Sequence, residues 1–310
     1  MIAVFFSVFA VLFLGLPHTA HAWGTGAHVD FALTILGNLA LLTPAIRALL
    51  KKHPQDYIYG NLAADTVIGK NLANAEDHVH NWDVAIKLFD HANDDANKAF
   101  VYGYLSHLSA DTVAHNYFVG KKRVDSFRSI TAGHAYWELR YDSFLPNHVW
   151  ETTSKIAKVR PEQFRSHDAL LEFGLKPTIL TVASNRAVYT SFLSVSSKVE
   201  RWRDLMRSHA ERSATPFDSE ERDLFRTLAI GAITDFLNDF RESRTYAADA
   251  TGNANLGACW KIAGLLRKNA AAIKSGEADE IARRVGAALR NGLHVERAVD
   301  LSSALSRAAA

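Results

Sequence analysis

The spacing of hydrophobic residues predicts a protein built of α-helices. Apolar side chains recur at steps of three and four along most of the chain, and convincing alternation of period two is absent. Only seven of the 310 residues are proline, so few positions would interrupt a helix. We therefore predict an all-α fold, with helices over residues 28–39, 44–53, 84–92, 97–119, 132–144, 177–207, 219–243, 256–274 and 277–291.

The first residues follow a different pattern. Residues 2–16 form an apolar run that only Ser7 interrupts, and Pro17 and the triplet Ala20-His21-Ala22 follow it. This is the layout of a secretory signal peptide, although no Lys or Arg precedes the apolar run. A run of about 15 apolar residues is short for a membrane span, which takes about 20. We expect cleavage after Ala22 and a secreted or periplasmic protein; the alternative is an uncleaved membrane anchor.

The remaining chain contains no long flexible linker. We predict a signal peptide at 1–22, one helical domain at 23–250 and a C-terminal helical extension at 251–310 that packs on the same domain. Breaks between helices are expected near 120–126, 213–218 and 251–255. The first break contains Lys121-Lys122-Arg123, which we expect to be a solvated loop, and the sequence Asp218-Ser219-x-Glu221 predicts a helix cap.

Composition limits the classes of function. With 48% hydrophobic and 22% charged residues the chain is not disordered, and a net charge of +2 argues against binding nucleic acid or anionic lipid mainly by charge. The single cysteine, Cys259, excludes an internal disulfide and a thiolate zinc site. The fourteen histidines are concentrated, since eight of them fall between residues 23 and 145.

Three polar residues share one face of the predicted helix 97–119. His107, Asp111 and His115 are spaced by four, and each step rotates the side chain by about 40°, so all three fall within a wedge of about 80°. Their neighbours are mostly apolar, which indicates a buried helix. Buried His and Asp are costly without partners, and a carboxylate can bridge two ions, so we predict a metal site with Asp111 as the bridge.

Further candidate ligands lie on both sides of this helix. His134 and Glu138 are four residues apart and within reach of one ion if they are helical. Asp65 and His80 lie in short, turn-rich segments, and His78 competes with His80. Taken singly, the histidines and Glu138 are better explained as surface side chains, and Asp65 as a helix or turn carboxylate.

The predicted mature N-terminus adds a more specific feature. If cleavage leaves Trp23 as the first residue, its α-amino nitrogen and its carbonyl oxygen can chelate a metal together. His28 follows five residues later, across Gly24-Thr25-Gly26, and can return to the same ion.

Read from the N-terminus, these motifs resemble those of the zinc-dependent phospholipase C family, the bacterial lecithinases. The resemblance runs from Trp23 to about Leu145. The resemblance implies an all-helical protein with three zinc ions that hydrolyses phospholipids to diacylglycerol and a phosphorylated headgroup. The implied ligands are Trp23, His28 and Asp111 for one ion, Asp65, His80, His107 and Asp111 for a second, and His115, His134 and Glu138 for a third.

The sequence departs from the family pattern in two ways. Family members place the histidine after the bridging Asp six residues on, across a Pro-containing turn, whereas His115 follows Asp111 by four. The spacing from Trp23 to His28 is more similar to that of the fungal single-strand nucleases, which share the fold and the three-zinc site but end the ligand set with Asp where this chain has Glu138. A nuclease or phosphatase on the same site is therefore an alternative, and a non-catalytic, metal-stabilised helical binding module is another.

The expected substrate is a phospholipid, with peripheral membrane contact; nucleic acid is disfavoured by the balanced charge, and no protein partner is implied. Asp65 is the favoured catalytic residue, as proton acceptor or orienter of the attacking water, and the alternative is a role as ligand alone. Trp82, Tyr57 and Tyr59 fit core aromatic residues better than residues that line the site.

Overall fold

The computed structural model describes residues 23–66, 79–129, 133–175 and 217–292, with single positions between 182 and 215. This part of the chain contains thirteen α-helices and no strand, so the all-α prediction is confirmed for it. The helices are α1 Thr25–Gly37, α2 Pro44–Lys52, α3 Pro54–Thr66, α4 Trp82–His91, α5 Asp95–Val113, α6 Val119–Asp125, α7 His134–Asp142, α8 Asn147–Ala157, α9 Arg165–Gly174, α10 Ser219–Asp239, α11 Asn253–Lys268, α12 Ala270–Ser275 and α13 Glu277–Arg290. The predicted signal peptide, His78 and most of the predicted helix 177–207 lie outside the described residues.

Helix α5 is the central element of the fold. From Ala99 to Val113 nearly every residue is buried, and the helix packs against α3 and α10. Its contact with α3 depends on two glycines, because a Cβ on Gly60 would meet the Phe100 carbonyl oxygen at 1.9 Å and a Cβ on Gly103 would meet the Tyr57 carbonyl oxygen at 2.1 Å. This close approach brings the polar end of α3 against the polar face of α5.

Helix α5 continues into α6 through a π-helical turn at Ala114–Phe118. The predicted loop over residues 120–126 is therefore wrong, since α6 occupies most of it. Lys122 and Arg123 are 1% and 3% exposed. Lys122 forms an ion pair with Glu221 of α10, and the Arg123 guanidinium lies 4.2 Å from the ring centre of Trp260. Partners on distant helices compensate these charges, and local sequence does not reveal such partners.

The C-terminal helices pack on α6. Helices α11 and α13 contact it, and between them lies a second hydrophobic cluster that includes Val124, Phe127 and Cys259. The predicted helix 256–274 is divided at Asn269, whose side chain caps α12 by accepting a hydrogen bond from the Ala272 N–H. The division into a domain at 23–250 and an extension at 251–310 stays a prediction.

Four helices were not predicted, namely α3, α6, α8 and α9. The clearest case is α3, where Tyr57 to Ala64 are all buried, so the helix has no polar stripe and no amphipathic period to detect. Asp65 accordingly lies near the end of a helix and not in a turn-rich segment. The predicted cap of α10 is present, because Asp218 accepts a hydrogen bond from the Glu221 N–H at 2.8 Å. None of the helices in the described part of the chain is long and apolar enough to cross a membrane.

Candidate metal centre

The α5 face carries the first two residues of the site. His107 and Asp111 are fully buried, and the His107 Nε2 lies 3.2 Å from the Asp111 Oδ2. The other ring nitrogen, Nδ1, lies 2.8 Å from the Asn61 carbonyl oxygen on α3. A carbonyl only accepts hydrogen bonds, so Nδ1 carries the hydrogen and the neutral ring directs the lone pair of Nε2 into the site.

Helix α1 contributes His28. Its ring stacks on that of His107, with centroids 3.7 Å apart, and its Nε2 lies 3.4 Å from the Asp111 Oδ1. Neither ring nitrogen of His28 has a hydrogen-bond partner, although the side chain is buried.

His80 enters from the turn that precedes α4. Its Nε2 lies 3.0 Å from the His107 Nε2, 3.2 Å from the Asp111 Oδ2 and 3.6 Å from the Asp65 Oδ1. The two oxygens of Asp111 thus face different groups: Oδ1 faces His28, and Oδ2 faces His80 and His107.

These distances fit a zinc site. Zinc bonds of about 2.0–2.2 Å in a tetrahedron place neighbouring ligand atoms about 3.3 Å apart. The measured separations between ligand atoms, from 3.0 to 3.6 Å, lie around that value. Neither Asp111 oxygen makes a hydrogen bond of acceptable geometry despite full burial, which is costly unless a cation compensates the carboxylate. The donor set and its burial therefore fit zinc.

The charges in the site depend on one another. Burial and the neighbouring His107 lower the pKa of His28. Burial opposes protonation of His107 as well, but the carboxylates of Asp111 and Asp65 outweigh it and raise the pKa of His107. Burial likewise opposes the charge on Asp111, yet contacts with His107, His28 and His80 hold the pKa of its carboxyl well below the usual range. Asp111 is therefore an anion in the protein interior, which suits a bridge between cations.

A second group of predicted ligands lies beside the first. The His134 Nε2 is 3.4 Å from the Glu138 Oε1 on α7, and the His115 ring centre is 5.4 Å from that of His134. His115 is also 6.4 Å from His80, measured between ring centres. His115 lies within the π-helical turn, so the regular α-helical rotation assumed for it from the sequence does not apply.

Trp23 lies against the same region. Its indole is 1% exposed, stacks on Phe118 at 4.7 Å and donates a hydrogen bond from Nε1 to the Ala110 carbonyl oxygen at 2.9 Å. Ala110 immediately precedes Asp111, so the ring holds the start of the described chain beside the face of α5 that carries His107 and Asp111. Chelation by a terminal amine depends on cleavage after Ala22 and stays a prediction.

One important residue of this region was missed in the sequence. Asp142, at the end of α7, accepts hydrogen bonds from the N–H groups of Gly26 and Ala27, each at 2.9 Å, and so caps the N-terminus of α1. Burial raises the pKa of Asp142 to about 7, which outweighs these two hydrogen bonds. The available signal was its position four residues after Glu138, on the same helix face.

The candidate aromatic residues are mainly core residues. Tyr57 donates a hydrogen bond to Ser106, and Tyr59 donates one to Asp168 and stacks on Phe164. Both tyrosines are buried, as predicted. Trp82 is partly buried and stacks on Phe236 at 5.0 Å, which also fits a structural role.

The fold and the site together are those of a helical protein with a buried cluster of imidazole and carboxylate groups that fits a metal ion. A family model described as zinc dependent phospholipase C matches residues 27–181, which is half of the chain. The chain belongs to the zinc-dependent phospholipase C family. Comparisons with curated proteins and with solved structures found no match. All the candidate ligands except Trp23 fall within the matched residues.

Proposed function

We propose that the protein is an exported zinc-dependent phosphodiester hydrolase, a phospholipase C that cleaves phospholipid to diacylglycerol and a phosphorylated headgroup. One observation carries this proposal above all: the two oxygens of the buried Asp111 face separate sets of histidines, at separations typical of zinc ligands. Family membership supports the hydrolase class and zinc as the metal.

The proposed ligand sets are those of the sequence analysis. Trp23, His28 and Asp111 would hold one ion, Asp65, His80, His107 and Asp111 a second, and His115, His134 and Glu138 a third. Bound zinc supplies Lewis-acid polarisation of the phosphoryl group and lowers the pKa of water toward about 7.

Asp65 is the proposed proton acceptor. Its side chain is 8% exposed, whereas that of Asp111 is 1% exposed, so Asp65 is the more accessible of the two carboxylates beside His80. An accessible carboxylate next to the ligands can orient the attacking water and take up its proton, while Asp111 is enclosed by histidines and cannot reach solvent.

The substrate class follows from the family and from the charge. A net charge of +2 gives no broad attraction to polyanions, so we propose local, peripheral contact with a phospholipid surface and no protein partner. The short spacing from Trp23 to His28 favours one alternative, a nuclease or phosphatase on the same metals. Secretion or delivery to the periplasm after cleavage at Ala22 is part of the proposal.

The test combines processing, metal content and substrate choice. The protein is expressed with its leader and recovered from the exported fraction; N-terminal sequencing should begin at Trp23, and elemental analysis should give about three zinc ions per chain. It is then assayed on phosphatidylcholine vesicles, single-stranded DNA and a chromogenic phosphodiester. Diacylglycerol release is expected, whereas cleavage of DNA alone would favour the nuclease, and zinc without any activity would favour a binding module.

A matched pair of variants tests the role of Asp65. Asp65→Asn should reduce turnover strongly. Asp56 lies on the same helix but contacts His167 and not the metal centre. Asp56→Asn should therefore leave turnover near that of the wild type. Equal activity of the two variants would contradict the proposed role of Asp65.

A further inference from the structure

The loop between α10 and α11 contacts the metal centre through three successive backbone carbonyls. The Ala248 oxygen accepts a hydrogen bond from the Trp82 Nε1 at 2.9 Å, the Asp249 oxygen from the Asn116 Nδ2 at 2.8 Å, and the Ala250 oxygen from the His115 Nδ1 at 2.7 Å. This loop lies outside the residues matched by the family model. We call residues 248–252 the strap.

The hydrogen bond to Ala250 determines which ring nitrogen of His115 can bind a metal. Because a carbonyl oxygen only accepts, the His115 Nδ1 carries the hydrogen and the neutral ring keeps a lone pair on Nε2. That Nε2 is buried and has no hydrogen-bond partner. The ring lies against His134, with centroids 5.4 Å apart, so the strap leaves Nε2 ready to act as a metal ligand.

Because it has no side chain, Gly252 allows the strap to pack closely against His115. Its φ is +57°, a left-handed conformation that side chains disfavour, and an added Cβ would lie 2.5 Å from the His115 Cβ and 2.7 Å from the His115 carbonyl carbon. Any larger residue at position 252 must therefore displace either the strap or His115.

The strap is held in shape by its own side chains. The Asp249 carboxylate accepts hydrogen bonds from the Thr251 N–H and hydroxyl and from the Asn253 N–H. From α11, Asn255 donates a hydrogen bond to the Asn116 carbonyl oxygen. These bonds make the strap a rigid support, so a displacement at one end is transmitted to His115.

We propose that the strap is a positioning element for the third zinc ion, because it fixes the rotation and the tautomer of His115 and so keeps Nε2 available for the ion that His115, His134 and Glu138 would hold. The inference rests on the proposed function, which makes His115 a ligand. Partners that orient a metal-ligating histidine typically contribute 10–100-fold in metal affinity.

The experiment compares two glycine variants of the mature, zinc-loaded protein. Gly252→Ala introduces the clash with His115. Gly276→Ala is the matched control, since Gly276 also has a positive φ, +82°, but an added Cβ would meet nothing within 4 Å. Zinc is counted by native mass spectrometry during titration with a chelator. We expect three ions in the wild type and in Gly276→Ala, and about 10–100-fold weaker binding of one ion in Gly252→Ala.

A second variant keeps the test decisive if Gly252→Ala does not fold. Trp82→Phe retains an aromatic ring on Phe236 and removes the donor to Ala248. It should weaken the same single ion, and cobalt substitution should show an altered absorption spectrum at one site only. If the wild type binds three ions and the variants show unchanged affinities and spectra, the proposed role of the strap is overturned while the third site stands. If the wild type binds no third ion, both the role of the strap and the third site are overturned.

Discussion

Gly24 and Asp142 approach so closely that a Cβ on Gly24 would lie 2.3 Å from the Asp142 Oδ2. The same carboxylate caps α1 by accepting hydrogen bonds from Gly26 and Ala27. The contact explains why glycine follows Trp23 directly, since no side chain at position 24 fits beside Asp142. It also joins the last turn of α7, the helix of Glu138, to the first turn of α1, the helix of His28.

Substitution of Gly24 should therefore disturb both stability and zinc binding. Gly24→Ala must move the start of α1 away from Asp142, and overpacking of this kind typically destabilises by about 1–3 kcal/mol. His28 lies one turn further along and should lose zinc affinity as a result. Gly37→Ala, at the other end of α1, is the control, because an added Cβ there meets nothing within 4 Å. Urea unfolding and a zinc titration measure the two effects; identical behaviour of the variants would contradict the proposed constraint.

Asp142 should also make stability depend on pH. Its folded-state pKa of about 7 lies above the ordinary pKa of an Asp carboxyl, 3.8, so the folded protein binds the proton more tightly than the unfolded chain does. The stabilisation from this group is complete below about pH 4 and is lost as the pH rises through 7. Asp142→Asn cannot titrate, so the stability advantage of the wild type over this variant should shrink between pH 4 and 7. Thermal unfolding of the two metal-free proteins across this pH range tests the direction of the change. A stability difference between them that stays constant with pH would refute the prediction.

Loss of charge on the bridging carboxylate should remove metal. Asp111→Asn should lose zinc from both ions that share Asp111, abolish activity and lower the thermal midpoint, because one buried anion then no longer compensates the cations. Asp30→Asn is a matched control, since Asp30 is also buried but forms a two-point ion pair with Arg226. That variant should lose stability and keep its zinc. Full zinc content and full turnover in Asp111→Asn would disprove the bridge.

The buried pair of Lys122 and Glu221 should be far more sensitive than the exposed pair beside it. Glu221→Leu leaves the buried Lys122 with the carboxylate of Asp125, at 3.7 Å, and also removes a partner of Lys121; breaking a buried pair in this way typically destabilises by about 3–5 kcal/mol. The double variant with Lys122→Met should recover much of this loss. Glu220→Leu, which breaks an exposed contact with Arg290, should cost about 1 kcal/mol or less. Chemical denaturation of these proteins and of Lys122→Met alone measures the coupling between Lys122 and Glu221. The coupling would be absent if the losses of the two single variants simply added in the double variant.

Part of the candidate site followed from the spacing of residues along one helix. His107 and Asp111 share a helix face because their spacing matches the helical period, and the site accordingly contains them together. His80 also contacts this site, while its competitor His78 lies outside the described residues. That these residues bind zinc stays a prediction.

Other features left no pattern in the sequence from which to predict them. Residues 57–64 of helix α3 are buried on every side, so this stretch lacks the polar stripe by which an amphipathic helix is detected. The Ala250 carbonyl that orients His115 belongs to the backbone, which carries no residue-specific signal. Buried charges such as Lys122 depend on partners about a hundred positions away, and their burial follows only from tertiary packing.

The π-helical turn at Ala114–Phe118 also sets the register of everything that follows it on the same continuous helix. Each residue of an α-helix turns the chain by about 100°, so removal of one residue from the turn would rotate α6 by about that angle relative to α5. Lys122 would then leave Glu221, and Val124 would leave the second hydrophobic cluster. A single-residue deletion here would therefore break the packing of the C-terminal helices on α6, although α6 itself would keep every residue.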